Sequence, residues 1–319
     1  VIKRMPSFKL FNLPDIAYSP YPVRAEGIDT GGFVIAADCR FRGWKMEPEG
    51  ELDDRPVEMD QFHLWRHTKE GRTAWRLEES ECLSSYPFTW RRYCLPIEAA
   101  LSLESIDFSP VFLDEDHKPA YESFLPIHMV VFRIQNRSDR PFEAALLSTL
   151  ACAWPDMMAY SRFDYQHDNL ALTGALGGDP LDMEGRIGVS MPDLHSEGVY
   201  LQGIEPWSVP EGLEPILEDF LEDGELDSAV PRGDCQGAGA WVKFDLKPDE
   251  VRQIPFAFVW HFTYYKAGGL KGQFRKHFQY LTKRRGDNAI IWLAEQAFKD
   301  YGGEVPSYVY WMEELIGKG

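Results

Sequence analysis

Residues 240–262 constrain the fold more than any other stretch of the chain. They read AWVKFDL, then the turn KPDE, then VRQIPFAFVWHF. Apolar residues alternate in the first run at Val242, Phe244 and Leu246. In the second run Ile254, Phe256, Phe258 and Trp260 share one face while Pro255, Ala257 and Val259 share the other, the pattern of a strand buried on both sides. Residues 127–153 repeat the plan as IHMVVFRIQ, NRSDRP and FEAALLSTLACA. Such runs, punctuated by Pro, Asp and Asn turns, are the signature of antiparallel strand pairs.

Further strands are expected at 31–42, entered through Gly31-Gly32, and at 61–65, 73–77, 90–93, 98–108, 169–176, 186–191 and 198–204. Many short strands with turn chemistry between them predict a mainly β fold: a large antiparallel two-sheet β-sandwich rather than alternating βαβ units. Two kinds of helix interrupt it. The acidic stretch 205–227 hides a short apolar stripe, Ile216, Leu217, Phe220 and Leu221, closed by Asp223-Gly224; this predicts a short amphipathic helix with a solvated acidic face. Near the end of the chain, Asp287 or Asn288 can cap a helix whose stripe runs Ile290, Leu293, Ala294, Ala297, Phe298, Tyr301. Gly302-Gly303 stops it, and a second stripe follows at Tyr308, Trp311, Met312 and Leu315. The expected division is a β-sandwich domain over 1–285 and a helical tail over 286–319. The tail's stripes bury either against the sandwich itself or against a separate helical body.

With 319 residues there is ample length for a substantial core. A net charge of −18 repels phosphate backbones, so nucleic acid is not expected as a partner. No apolar run approaches the roughly 20 residues that a membrane-spanning helix needs. The five cysteines (Cys39, Cys82, Cys94, Cys152, Cys235) are odd in number and widely spaced, which fits a reducing compartment and points to the cytoplasm.

Few residue patterns suggest chemistry. Retaining glycoside hydrolysis needs two carboxyl groups about 5–5.5 Å apart, and an acid-rich chain offers many chance pairs. The polar and aromatic stretch WPDMMAYSRFDYQHDN is the most suggestive. Trp154, Tyr160 and Tyr165 are suited to stacking on a sugar ring, with Asp156, Asp164 and Asp168 binding its hydroxyls; the alternative is a long loop beyond a sandwich strand. His63 and His67 lie four apart, but in a strand and turn rather than a helix, and are not expected to share a face as metal ligands. No nucleophile elbow occurs, and Gly237-Ala238-Gly239 precedes a strand instead of opening a helix, so no phosphate loop and no cofactor are expected.

Several segments together resemble the N-terminal domain of glycoside hydrolase family 116. They are Gly31-Gly32, the Arg42-Gly43-Trp44 turn, Tyr86-Pro87, Phe108-Ser109-Pro110, Ser123-Phe124-Leu125-Pro126, Asn136, and the runs PILEDFLEDGELD and RRGDNAIIWLAEQAFKDY. Their order and spacing, rather than any one motif, carry the resemblance. That family includes non-lysosomal glucosylceramidases and microbial β-glucosidases. The resemblance implies a sandwich paired with a C-terminal barrel of α-helices that supplies the nucleophile and the acid/base carboxylates. Gly319 falls about where such a barrel would begin, and no position here matches either catalytic motif. The expectation is therefore a non-catalytic sandwich supporting a helical-barrel β-glucosidase or glucosylceramidase, as a domain or as a subunit. The residues expected to meet that partner, or a second copy of the chain, are Phe298, Tyr301, Tyr308, Trp311 and Met312. The alternatives are a stand-alone carbohydrate-binding or scaffold protein that takes β-glucosides, and an autonomous glycosidase.

Overall fold

A computed structural model describes residues 60–68, 71–85, 88–95, 100–108, 125–151, 162–167, 171–178, 185–194, 199–207, 214–227, 237–262 and 289–298, with short strands at 3–4, 17–18, 33–35, 41–46, 52–58, 265–266 and 273–274. Strands β1 (Lys3–Arg4) and β2 (Ala17–Tyr18) form a small ribbon. β3 (Phe33–Ile35), β4 (Phe41–Met46) and β5 (Leu52–Glu58) form a three-stranded sheet, so the single strand expected over 31–42 is two.

The sandwich follows. Its strands are β6 (Asp60–Thr68), β7 (Gly71–Arg76), β8 (Glu78–Ser85), β9 (Phe88–Cys94), β10 (Leu101–Phe108), β11 (Ile127–Asn136) and β12 (Phe142–Ala151), then β13 (Arg162–His167), β14 (Ala171–Gly178), β15 (Gly185–Pro192), β16 (Val199–Trp207), β17 (Gly237–Leu246) and β18 (Val251–Phe262). A last ribbon pairs β19 (Tyr265–Lys266) with β20 (Gln273–Phe274). The large sheet has eight strands in the order β13-β14-β15-β18-β11-β10-β9-β8, and the small sheet five in the order β16-β17-β12-β6-β7. Every pairing is antiparallel.

The two expected strand pairs are corrected: β11 does not pair with β12, nor β17 with β18, because each pair crosses between the sheets. The 127–153 and 240–262 patterns each place one strand in either sheet, β11 with β12 and β17 with β18. Inward residues from the two sheets make one core. Phe132, Phe256 and Phe258 from the large sheet surround Phe62 from the small one, with ring centroids 4.8–6.2 Å apart. β18 is buried on both faces as its sequence predicts, with Ile254, Phe256 and Phe258 facing the core and Ala257 and Val259 buried on the far side.

The outer faces are covered by two helices. An acidic helix, Glu214–Asp223, lays Ile216, Leu217 and Phe220 over Trp65, Ala145, Leu147 and Trp241 of the small sheet, and Leu226 completes that layer. An apolar helix, Ala289–Phe298, packs on β14, β15, β18 and β11 of the large sheet and buries Ile290, Leu293, Ala294, Ala297 and Phe298. It lies on the face away from the inter-sheet core, where the register presents small residues: Gly188 and Ser190 of β15 beside Val259 and Ala257 of β18. Thr173 and Ser190 satisfy each other under it, their hydroxyls 2.9 Å apart. The first predicted stripe is thus buried by the sandwich itself as far as Phe298, and Tyr301 lies outside the described residues. The second stripe lies outside the described residues.

The two ends of the sandwich differ. One carries connections of six residues or fewer: 69–70, 95–100, 137–141, 168–170, 193–198 and 247–250. The other carries 86–87 and 179–184, and also the long connections 109–126, 152–161 and 208–236.

Candidate functional site

Binding and catalytic residues concentrate on loops held by a rigid scaffold. In this chain that draws attention to the long-connection end, where the inter-sheet core turns polar. Residues paired across an antiparallel ladder share a face. Ser105 opposite Phe132, and Asp107 opposite Val130, therefore face the core, as does Arg91 opposite Ser105. Arg91 Nε donates to Asp107 Oδ2 at 2.7 Å, Ser105 Oγ donates to Asp107 Oδ1 at 3.0 Å, and the Tyr93 hydroxyl meets Ser105 Oγ at 2.9 Å. All four residues are buried.

His128 borders this group from β11. It is 1 % exposed, stacked on Phe258 with centroids 6.2 Å apart, and neither ring nitrogen has a hydrogen-bond partner. Burial, and then the nearby Arg91 charge, hold its pKa down to about 3. Across the core Ser148, opposite Phe62 in register, also has a buried hydroxyl without a partner. The histidine is therefore neutral, with one ring nitrogen able to donate and the other to accept.

On the opposite face of β10, Glu104 is buried and accepts from Arg92 Nε at 3.2 Å and Nη2 at 3.0 Å. Arg92 Nη1 reaches Glu81 Oε2 at 2.6 Å. Each buried carboxylate of β10 is thus tied to its own guanidinium, and the two point to opposite sides of one sheet. Such an arrangement neutralises charge inside a fold; it does not bring two carboxyl groups to a common bond.

Of the residues expected to bind sugar, Trp154, Asp156, Tyr160 and Asp168 lie outside the described residues. Tyr165 lies in β13 opposite Gly174, so the loop reading of its segment is corrected: 162–167 is an edge strand of the large sheet. Of the expected partner residues, Tyr301, Tyr308, Trp311 and Met312 also lie outside the described residues, and Phe298 is 2 % exposed in the helix packed on the large sheet. The histidine pair needs a second correction. Both lie in β6, and a spacing of four puts both on one face because side chains in a strand repeat every two residues. They still do not act together: His67 Nδ1 lies 2.9 Å from Glu143 Oε2, while His63 is buried opposite Leu147, its pKa lowered to about 4 by burial and by Arg76. Among the described residues no cluster of His, Cys, Asp and Glu could hold a metal ion, and no helix is long and apolar enough to cross a membrane.

Sequence reasoning missed Arg91, Asp107 and His128. The available signal was a charged or polar residue at an inward position of an otherwise apolar run: WRRYC, ESIDF and IHMVV.

The fold is a two-sheet antiparallel sandwich with its long connections at one end. A family model described as beta-glucosidase 2, glycosyl-hydrolase family 116 N-term, matches residues 26–303, and the chain belongs to that family. No curated protein matches it in sequence. Among solved structures it is similar to a polysaccharide lyase, at 10 % identity and a TM-score of 0.37, over 77 % of this chain and 33 % of that one. It is also similar to a proposed aldose 1-epimerase from Klebsiella pneumoniae, at 8 % identity and a TM-score of 0.37, over 81 % and 70 %. A third, a proposed kojibiose phosphorylase from human microbiome, shares 9 % identity at a TM-score of 0.35, over 99 % and 39 %. The chain spans about a third of the length of the lyase and about two fifths of that of the phosphorylase.

Proposed function

We propose that this chain is the non-catalytic sandwich of a β-glucoside-cleaving assembly, working beside a helical-barrel catalytic domain or subunit of family 116. The family match over residues 26–303 carries the reading. The chemistry of the buried carboxylates supports it, since Asp107 and Glu104 are each ion-paired and diverge across β10. The long connections at one end are the parts best placed to wall a sugar site. Trp154, Asp156 and Tyr160 belong to the connection 152–161, and Tyr165 and Asp168 follow it. Tyr301, Tyr308, Trp311 and Met312, beyond the apolar helix, are the proposed contacts with the barrel, and the odd, scattered cysteines favour the cytoplasm.

Nitrophenol release from an aryl β-glucoside tests this. The purified chain is expected to give no turnover. Mixed with a family 116 helical-barrel chain, it should form a heavier species in sedimentation that hydrolyses the glucoside. Turnover by this chain alone, abolished by a single carboxylate substitution, would overturn the reading.

A further inference from the structure

We propose that His128 makes the long-connection end of the sandwich an acid-operated latch, closed while the neutral ring sits between the sheets and opened locally when the ring leaves the core to take a proton. The geometry comes first. His128 is in the second position of β11, directly after the connection 109–126, and its strand pairs on one side with β10 and on the other with β18. The ring is fully enclosed, lies against Phe258, and has no hydrogen bond to either nitrogen. A buried polar group without partners costs stability. Among the described residues no neighbour rewards the charged form either.

The charged groups around the ring can be named. Arg91 of β9 and Asp107 of β10 face the same core, but Asp107 is already bound by Arg91 Nε and by Ser105. Tyr93 of β9 is the other titratable side chain described on that face, its hydroxyl bound to Ser105, and Glu79 and Cys82 of the edge strand β8 pair in register with Tyr93 and Arg91. The described inward positions of β18, β12, β17 and β15 at this end (Phe256, Phe258, Ser148, Leu150, Ala238, Ala240, Ile187, Val189) carry no charge, and Asp60 opens β6 at the level of Leu150. An imidazolium would therefore meet an unpaired place beside a guanidinium. It can form only when the end of β11 swings away from β18, and the part of the chain released is the root of the 109–126 connection. Among the described residues the end that carries the 137–141 and 247–250 turns has no buried histidine in the inter-sheet core, and Asn136 there is hydrogen-bonded into both turns.

Linkage sets the size of the effect. The open form takes up a proton near the ordinary histidine pKa and the closed form does not, so the open population grows about tenfold for each pH unit below that value. Hydrogen exchange on the full chain, corrected for the intrinsic pH dependence of exchange, reads this directly. Between about pH 7.5 and 4.5, amides of 127–132 and 254–259 should open about 100-fold more often, while those of 133–142 and 243–252 change far less. In His128→Phe, which keeps an aromatic ring against Phe258, the extra opening should vanish; His128→Gln is the second variant should the first fail to fold. Persistence of the acid effect in either variant overturns the proposal, as does its absence from the native chain or an equal effect at both ends.

Discussion

Asn136 shows how much one side chain can hold in a sandwich of this kind. It is fully buried at the end of β11, where the chain must turn from the large sheet into the small one. Its Nδ2 donates to the carbonyls of Arg140 and Leu246, at 2.8 and 3.0 Å, and its Oδ1 accepts from the Ser138 N–H and hydroxyl. Its own backbone bonds Glu250 and Asp249 in the other crossing turn. One amide side chain therefore ties the 137–141 turn to the 247–250 turn. Asn136→Ala would take this donor from the buried Leu246 carbonyl and release Ser138 from the turn, so a loss of about 1–3 kcal/mol is expected. Urea unfolding should show a lower midpoint at unchanged slope. A change below about 0.5 kcal/mol, the range of an ordinary surface substitution, would mean that the two turns hold without it.

At the scale of elements, the acidic helix depends on the way it ends. The Gly224 N–H donates to the Phe220 carbonyl at 2.9 Å, and the residue sits at φ +82°. A Cβ there would lie 2.8 Å from the Trp65 ring. The close approach lets Trp65 Nε1 donate to the Leu221 carbonyl at 3.0 Å, so sheet and helix are locked by a hydrogen bond as well as by apolar contact. Gly224→Ala should cost about 2–4 kcal/mol, from left-handed backbone strain plus overpacking. Gly71→Ala separates the two causes: Gly71 also has positive φ, at +132°, but nothing lies within 4 Å of its Cβ position, so that variant should lose less. Equal losses would show that the ring contact contributes nothing. This helix was readable in the sequence because its stripe and its closing Asp-Gly are local signals. The central strands were readable too, since burial on one or both faces writes apolar residues at most inward positions. β8 (EESECLSS) and β13 (RFDYQH) were not, for a shared physical reason. They are the two edges of the large sheet, paired on one side only, and polar residues are tolerated there. The polar cluster was hidden for another reason. Arg91, Asp107 and His128 are brought together by ladder register between strands, which no short window of sequence reveals.

At the scale of the whole molecule, two buried neutral histidines in different layers should make stability depend on acid. His128 sits between the sheets, and His63 lies on the outer face of the small sheet. Their pKa values are lowered from the ordinary 6.5 to about 3 and about 4, in both cases first by burial and then by a neighbouring arginine. In the unfolded chain each takes a proton below about pH 6.5, while in the fold each stays neutral until much lower pH. The unfolded state thus binds more protons across this window, so stability rises with pH there and falls on acidification. Each histidine contributes a slope of up to about 1.4 kcal/mol per pH unit. Together they should remove about 4 kcal/mol between pH 7 and pH 5. The slope from His63 should fade below about pH 4, where that ring protonates in place. Carboxylates add their own acid dependence, so the informative quantity is a difference. Urea midpoints of the native chain should fall steeply from pH 7 to pH 5, whereas those of a His63→Gln, His128→Phe double variant should fall much less over the same range, by the carboxylate contribution alone. If the two curves run parallel, the buried rings are not what makes this sandwich sensitive to acid.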